Sequence, residues 1–300
     1  MALDFSACIF SEPSRPIANL VYRFGSKGEI DVIQRPTDLP DFRTPPLNEV
    51  GIGVQFETPE RYHHIRAYEV WMLYQDQFPI VEERQPIPPA FETFGLPQRG
   101  PRVEFGFVSC ALHNRFLFLS REKDQLIQFQ SDRLLHNWRK GLNTENEYPR
   151  FESLIKDFEA ELYLLNEYMK NLNTQDLRIN QCEITYTNQI SLKGSQIYPS
   201  QWFRIMGLDD FNVENMSLTF TKLIHGSDNS PTGRLICEVN SQLDSVGAPL
   251  LVVQLSARGA PRSTSIADAL DFLCIGRDLI VKMFAEITSK AAHAVWERTQ

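Results

Sequence analysis

A chain of 300 residues, 42% of them hydrophobic, can bury a substantial core as one large domain or as two fused ones. Twenty phenylalanines and a charged fraction of only 23% argue against a disordered chain. The formal net charge of −8 makes nonspecific attraction to nucleic acid or anionic lipid unfavourable over the whole surface. Any nucleic-acid site must therefore be local.

The cysteines indicate a reducing compartment. None of the five forms a CxxC pair and most fall at apolar positions of predicted strands or helices, which favours buried reduced thiols over zinc ligands or disulfides; they are Cys8, Cys110, Cys182, Cys237 and Cys274. No stretch approaches the roughly 18 apolar residues of a membrane span, and the N-terminus lacks the basic start and apolar core of a secretory signal. We therefore expect a cytoplasmic protein without a membrane segment.

Residues 1–47 are predicted to form an N-terminal arm. Prolines interrupt two short strand-like runs, IANLVYRF and EIDVIQ. The pattern leaves three interpretations open: an added edge hairpin, a segment that grips a partner, or an extension packed on its own domain.

Residues 48–175 are predicted to form a first half with the order strand, helix, three strands, helix. Its first strand alternates Val50, Ile52, Val54 and Phe56 with polar residues or glycine. Thr58 and Pro59 suit the start of a helix, and its buried stripe is Ala67, Val70, Trp71, Tyr74 and Phe78. After the proline-rich IPPAFETFGLPQRGP, the strand-like runs are VEFGFVS, RFLFLSR and QLIQFQSDRLLHNW. A long amphipathic helix from near Tyr148 closes this half.

Residues 176–300 are predicted to form a second half of four strands and a long helix. CEITYTNQI alternates like a half-buried strand, and a short helix is expected around residues 201–206. SLTFTKLIHG, RLICEVNSQL and LLVVQLSARG then read as an antiparallel meander. The last helix begins near Ser265, where Ser265 and Asp268 match a capping box.

The repeated order predicts an α+β fold in one continuous domain. We expect a pseudo-duplicated antiparallel sheet packed by long helices on one face. This order resembles the TATA-binding-protein-like and helix-grip folds.

Several motifs, in a fixed order from Pro45 to Arg298, resemble a family of uncharacterised, sporadically distributed bacterial proteins. They are PPLNEVGIGVQFE, FPIVEERQPIPP, QFQSDRLLHNWRK followed by YPRFE, CEITYTNQI, and ALDFLCIGRDLIVKMFAEIT with Trp296 near the end. The resemblance implies no established activity and no catalytic residues. Sporadic distribution is typical of mobile defence genes, so it suggests by analogy an accessory role in antiphage defence, with a protein partner encoded nearby.

Basic and aromatic residues concentrate ahead of the first long helix. SDRLLHNWRK is predicted to occupy a strand end and the following loop, where such groups can stack a base and hold a phosphate. The candidate residues for nucleic-acid or anion binding are Arg133, Asn137, Trp138, Arg139, Lys140, Tyr148 and Arg150. The alternative is that Trp138 belongs to the core and the charges lie on a solvated strand end.

A second basic segment, RGAPR, precedes the last helix. Arg258 and Arg262 could hold an anion near the positive end of that helix. The alternative is an ordinary connecting loop.

The sequence indicates no catalytic residue, metal or cofactor. His63 and His64 are adjacent on a predicted helix, so their side chains point about 100° apart and do not form an i, i+4 metal pair. The motifs GxSxG, GxxxxGK[ST] and strand-linked GxGxxG do not occur. Enzymatic activity is still not excluded, because a triad assembled in space leaves no trace in sequence.

We expect a non-enzymatic binding protein, an adaptor or sensor. Two other functions remain open: nucleic-acid binding through the sheet surface or the Arg133–Lys140 cluster, and a pocket for a small ligand or substrate between the sheet and a long helix. The sequence also leaves a homo-oligomer open.

Overall fold

A single antiparallel sheet forms the centre of the fold. The computed structural model describes residues 35–95, 114–141, 146–192, 198–204 and 213–300. Within these ranges the sheet has nine strands accompanied by helices, which confirms the predicted α+β class. In chain order the strands are β1 Leu47–Phe56, β2 Ile80–Arg84, β3 Arg115–Leu119, β4 Gln125–Gln130, β5 Arg133–Arg139, β6 Ile179–Ser191, β7 Ser217–His225, β8 Pro231–Leu243 and β9 Pro249–Gly259. The helices are α1 Ala67–Met72, α2 Phe151–Asn173, α3 Pro199–Trp202, α4 Ile266–Ile287 and α5 Lys290–Val295, with a 3-10 turn at His64–Arg66.

The two halves of the chain meet in the middle of the sheet. The strand order is β2-β3-β4-β5-β1-β6-β9-β8-β7. The central neighbours β1 and β6 each begin one half, and each pairs on its other side with the last strand of its own half. Ile52 lies opposite Ile184 across this central pair, so the register places the apolar residues of both strands on one face.

Helices α2 and α4 cover that face, which we call the helix face. The buried stripe of α2 includes Phe151, Leu154, Ile155, Phe158, Leu162, Leu165 and Met169. Burying each such side chain contributes about 1.5–3 kcal/mol. Gly276 lets α4 approach the sheet, since a Cβ there would lie 2.7 Å from Ile184 Cγ2 and 3.1 Å from the Cβ of Ala257. We call the opposite side of the sheet the open face.

The predicted start of α4 is confirmed. Ser265 is its N-cap, and the Ser265 hydroxyl accepts a hydrogen bond from the Asp268 N–H at 3.2 Å. Arg277 interrupts the apolar stripe but is buried, and it donates at 2.7 Å to Glu152 on α2. Its guanidinium also lies 4.5 Å from the centre of the Phe151 ring. Arg277 therefore joins the two long helices.

The first half departs from its predicted order. QLIQFQSDRLLHNW is not one strand, because Ser131 and Asp132 form a turn that divides it into the hairpin β4–β5. Strand β2 was not predicted, so four described strands follow α1 where three were expected. The helix expected from Thr58 begins only at Ala67, after a turn closed by the Tyr62 N–H and the Pro59 carbonyl. The predicted strand VEFGFVS lies outside the described residues.

The second half follows the prediction more closely. β6 extends the expected strand by three residues at its start, to Ile179, and β7, β8 and β9 form the expected meander. The short helix expected at residues 201–206 is α3, Pro199–Trp202, and residues 205–212 lie outside the description. An additional helix, α5, follows α4 and is capped by Ser289, whose hydroxyl accepts from the Ala292 N–H at 3.0 Å.

Residues 35–47, the part of the predicted arm that the structure describes, pack on the rest of the domain. Residues 1–34 lie outside the description, so the proposed hairpin or grip stays a prediction. Leu39 and Phe42 are buried. The Phe42 ring makes edge contacts with Phe284 on α4 and with Trp296 after α5. This portion therefore contributes to the core.

The described cysteines are free thiols. Cys182 and Cys237 are buried and Cys274 is half-buried, whereas Cys8 and Cys110 lie outside the described residues. In the part of the chain that the structure describes, no helix is long and apolar enough to span a bilayer.

Candidate binding face

The structure divides the predicted basic and aromatic cluster between the two faces of the sheet. Residues 133–139 are not a strand end with a loop; they form β5, which lies between β4 and β1. Successive side chains of a strand point to opposite faces. Arg133, Asn137 and Arg139 therefore lie on the open face, whereas His136 and Trp138 lie on the helix face.

Trp138 belongs to the core. It is 2% exposed, and its ring centre lies 5.1 Å from that of Tyr148. The Tyr148 hydroxyl lies 3.0 Å from the hydroxyl of Tyr186. Burial raises the pKa of Tyr186 to about 12, so this pair of hydroxyls stays protonated at neutral pH. The Trp138 ring is not accessible for stacking on a base.

The remaining basic residues of the cluster are separated from one another. Arg139 donates to the Lys123 carbonyl at 2.7 Å, and Lys140 is exposed just beyond β5. Arg150 precedes α2 and pairs with Asp41 at 3.0 Å. The fold therefore does not gather the predicted residues into one site.

The two arginines of RGAPR also serve different contacts. Arg262 is 75% exposed and pairs with Asp268 at 2.8 Å and Asp271 at 2.7 Å in the first turns of α4. Arg258 lies on β9, on the open face, and holds the carboxylate of Glu92. An exposed pair such as that of Arg262 contributes at most about 1 kcal/mol.

A chain of polar side chains crosses the open face over β3, β4, β5 and β1. Arg115 donates to Gln128 at 2.5 Å, Gln128 to Asn137 at 2.7 Å, and Asn137 to Glu49 at 2.8 Å. Gly51 leaves room for this network, because a Cβ there would lie 2.8 Å from Asn137 Nδ2. This half of the open face is therefore covered by amide and charged side chains.

Arginines add positive charge to the same region. Burial lowers the pKa of Arg115, and the nearby cations Arg133 and Arg84 lower it further. The three arginines therefore lie near one another, and carboxylates already accompany two of them, since Arg84 pairs with Glu82 and Arg133 with Asp132.

Polar side chains also cover the open face over β6 and β9. The hydroxyls of Thr185 and Ser256 lie 2.7 Å apart, and Thr185 also donates to Glu183 at 3.2 Å. The Gln181 Oε1 atom is buried and accepts no hydrogen bond from the described residues. The open face thus carries polar groups from its centre to both sides; Asn137, Gln181 and Ser256 are buried, and Gln128 and Thr185 are half-buried.

Residues 85–95, QPIPPAFETFG, form an extended segment that crosses the open face, and we call it the strap. Gln130 on β4 accepts from the Ile87 N–H at 2.9 Å and donates to the Ile87 carbonyl at 3.0 Å. Gln55 on β1 accepts from the Ala90 N–H at 3.1 Å. Side chains of the sheet therefore bind the backbone of an extended polypeptide.

Arg133 holds the same segment. It donates to the Pro88 carbonyl at 3.2 Å and to Gln55 Oε1 at 3.3 Å, and it pairs with Asp132 at 3.1 Å. Arg133 is buried by these contacts. Its observed role is to position the strap.

Glu92 fixes the far end of the strap to β8 and β9. Its carboxylate bonds to Arg234, and it accepts from Arg258 Nε at 2.6 Å. The side chains of Glu92 and Arg234 are 2% and 8% exposed. Arg234 also donates to the Thr93 carbonyl at 2.5 Å and lies 5.0 Å from the centre of the Phe94 ring. Both sides of this buried charge pair are satisfied, which is the condition under which such a pair is tolerated.

A second buried pair lies on the helix face. His136 Nδ1 lies 2.9 Å from both carboxylate oxygens of Glu161 on α2. Burial lowers the pKa of His136, but the Glu161 carboxylate outweighs this effect and raises it overall. Burial raises the pKa of Glu161. The pair joins α2 to the sheet, and the Tyr74 hydroxyl, which donates to the Glu161 backbone carbonyl at 2.9 Å, joins α2 to the segment after α1.

A cavity of about 70 Å³ lies between residues 35–47, α4 and the start of α2. Its lining includes Arg35, Arg150, Arg277 and the hydroxyl pair of Tyr148 and Tyr186. Ligand pockets usually enclose about 300–1,000 Å³. The cavity is therefore smaller than the pocket for a small ligand or substrate that the sequence left open.

The predicted candidates include Arg133 and Arg258 but not the other residues that bind the strap. Glu92 sits in a segment interpreted only as a connection, and Gln55, Gln130 and Arg234 carry no motif. The available signal was their polar character at alternate positions of strands, which marks the face away from the core. Among the described residues, no group of three or more His, Cys, Asp or Glu side chains could hold a metal ion.

Comparison with known proteins gives no assignment. No family model, no curated protein and no solved structure matches the chain. The resemblance to the sporadically distributed bacterial family stays a prediction, and the functional proposal depends on the open face.

Proposed function

We propose that the chain is a non-enzymatic adaptor or sensor that binds an extended segment of a protein partner on the open face of its sheet. One observation carries the proposal: the open face already holds an extended polypeptide, the strap, through hydrogen bonds from sheet side chains to strap backbone groups. Backbone recognition of an extended chain is a recurring mode of peptide binding.

The distribution of polar and apolar groups agrees with this proposal. The helix face is filled by α2 and α4, whereas the open face presents amides, hydroxyls and arginines. Such groups satisfy the polar backbone of a bound peptide, which would otherwise lose its hydrogen bonds to water on binding. An extended peptide fits this surface better than an apolar ligand does.

The strand order supports a TATA-binding-protein-like or helix-grip-like fold. In each half a first strand leads through a helix to a meander, and the last meander strand returns beside the first. We extend the proposal to a pseudo-duplicated domain on this basis. Fold likeness alone carries no function.

The partner's origin follows from the resemblance noted in the sequence. Sporadic bacterial proteins of this kind suggest a role in antiphage defence, so we propose that a neighbouring gene encodes the partner. Cytoplasmic location is part of the same proposal.

Matched lysine substitutions test the open face beyond the strap contacts, six residues along β6 from Gln181, which lies opposite Gln55. Thr187 is half-buried on β6 and, by alternation with Tyr186, lies on the open face. Ala160 is exposed on α2 and provides the control. Tagged wild type, Thr187→Lys and Ala160→Lys would be expressed with the native gene neighbourhood, and captured proteins would be quantified by mass spectrometry.

We expect Thr187→Lys to lose a stoichiometric partner at least about tenfold, a loss equivalent to about 1.4 kcal/mol, while Ala160→Lys retains it. Thermal melts should show both variants folded. A partner retained equally by both variants would contradict the proposal, and captured nucleic acid that depends on Thr187 would favour the nucleic-acid alternative.

A further inference from the structure

We propose that Arg234 and Arg258 form a carboxylate-binding site for an acidic residue of the partner's extended segment. In this account the strap is an internal ligand: Glu92 occupies the site until the partner's acidic residue replaces it. The identity of the ligand as part of a protein partner rests on the function proposed above.

The site recognises three successive residues of an extended chain. The first supplies a carboxylate, which Arg258 binds at 2.6 Å and Arg234 also contacts. The second supplies a backbone carbonyl, which accepts from Arg234 at 2.5 Å. The third supplies an aromatic ring, Phe94, whose centre lies 5.0 Å from the Arg234 guanidinium carbon. The pattern is acidic, any residue, aromatic.

The sheet itself creates the need for an anion at this position. Arg234 and Arg258 are directly opposite each other on β8 and β9. Like charges in that relation repel. Apart from Glu92, the carboxylate nearest Arg258 is that of Glu183, at 3.6 Å from its Nη1 atom. When Glu92 leaves, Arg258 keeps Glu183, but Arg234 has no other carboxylate partner among the described residues, so another carboxylate binds favourably beside Arg234.

The strap is held in a way that permits exchange. Within the described residues, its backbone makes no hydrogen bond to another backbone group, and it forms neither helix nor strand after Arg84. Three of its residues are prolines, which donate no hydrogen bond. Its contacts come from side chains such as Gln55, Gln130 and Arg133. A competing peptide can make each of these contacts in turn.

These contacts define the class of ligand. It is an extended, proline-containing peptide in which an acidic residue is followed two positions later by an aromatic residue. Prolines reduce the entropy lost when such a peptide binds in an extended form. The unsatisfied Gln181 Oε1, opposite Gln55 across β1 and β6, provides a further acceptor beside the path.

Binding of labelled synthetic peptides tests this site directly. The probe is QPIPPAFETFG, and the matched control is the same peptide with glutamine in place of its glutamate. The protein is the full chain carrying Glu92→Gln, which removes the charge of the internal ligand while nearly preserving its shape. Fluorescence anisotropy measures Kd for each peptide.

We expect the Glu92→Gln protein to bind the acidic peptide at least about tenfold more tightly than wild type does, because charged hydrogen bonds are the stronger ones. The control peptide should bind at least about tenfold more weakly than the acidic peptide. Adding Arg258→Gln should reduce this preference, because Arg234 alone then binds the carboxylate, whereas Arg262→Gln, on the exposed neighbouring loop, should preserve it.

A second measurement uses the wild-type chain and does not depend on the variant folding. A saturating concentration of the acidic peptide should displace the strap, so that the Ile87 and Ala90 N–H groups lose their hydrogen bonds to Gln130 and Gln55. Hydrogen exchange at these two amides should then be faster. Equal binding of both peptides, or unchanged exchange at saturation, overturns the inference. So does competition by free glutamate at the peptide's own concentration, since a small anion would then suffice.

Light scattering separates one further outcome. If Glu92→Gln abolishes a concentration-dependent dimer of the wild type, the site binds the strap of a second copy, and the inference about a partner is wrong. If partner capture depends on Thr187 but the acidic peptide does not bind, the carboxylate-binding site is wrong while the proposed function stands. Peptide binding without Thr187-dependent capture instead contradicts the proposed function.

Discussion

Replacing Glu161 with glutamine removes the charged partner of His136 while leaving a hydrogen-bond acceptor of nearly the same shape. The side chains of His136 and Glu161 are 1% and 8% exposed, so water cannot replace the lost carboxylate. The His136 Nε2 atom has no hydrogen-bond partner among the described residues. Breaking a buried pair costs about 3–5 kcal/mol. We expect the free energy of unfolding to fall by about 3 kcal/mol.

The pH dependence of this difference has a definite sign. In the wild type the pKa of His136 is raised from 6.5, so its stabilising contribution is complete below pH 6.5 and is lost as pH rises through the folded-state pKa. The raised pKa of Glu161 acts in the same direction. Without the carboxylate, burial would lower the pKa of His136, although Asp157 still raises it slightly. The stability advantage of the wild type over Glu161→Gln should therefore shrink as pH rises above 6.5.

Urea denaturation between pH 6 and 8.5, followed by far-UV circular dichroism, measures both effects. Glu57→Gln is the control, because Glu57 and Arg178 form an exposed pair at 3.1 Å whose loss should cost at most about 1 kcal/mol. If Glu161→Gln cost no more than Glu57→Gln, or if the difference grew with pH, the assignment of a charged buried pair would be wrong.

Three further predictions concern packing, the N-terminal segment and the thiols. Gly53→Ala should lower the free energy of unfolding, measured by denaturant melts, by about 1–3 kcal/mol, because the added Cβ would lie 2.6 Å from Leu135 Cγ and 3.0 Å from the Leu134 carbonyl oxygen. Gly51→Ala should cost less, because the atom nearest to its Cβ is the side-chain amide nitrogen of Asn137, which can rotate away. Deleting residues 1–45 should lower the melting temperature far more than deleting residues 1–34. Only the longer deletion removes Leu39 and Phe42 from the core, and each of these side chains contributes about 2–5 kcal/mol to stability. Equal melting temperatures for the two deletions would contradict this packing. Burial raises the pKa of Cys237 to about 12, so iodoacetamide at pH 8 should label it only after unfolding, as peptide mass spectrometry can show.

The regular elements could be predicted where their periodicity was long. The seven-member apolar stripe of α2 and the Ser265 cap of α4 are local signals that tertiary structure preserved. The hairpin β4–β5 was wrongly predicted as one strand, because its turn has only two residues and apolar residues continue on both sides of it. The short edge strand β2 carries too few residues for alternation to separate it from a loop.

Apart from Arg133 and Arg258, the residues of the candidate site could not be predicted, because their contacts are long-range. Glu92 and Arg234 are separated by 142 positions, and Gln130 and Ile87 by 43. No local sequence pattern indicates contacts between residues so far apart in the chain. The residues singled out by composition, such as Trp138 and Arg133, proved to be core or strap contacts, since β5 lies inside the sheet and sends alternate side chains to opposite faces.

Site-specific photocross-linking would locate a bound partner on the sheet. A benzoylphenylalanine residue would replace Thr187 on the open face or Ala160 on α2 in the chain expressed with its native gene neighbours. We expect irradiation to join a partner polypeptide to position 187 and not to position 160, and the adduct should map to an extended segment of the partner. A partner joined only at position 160, or nucleic acid joined at position 187, would contradict the proposed function.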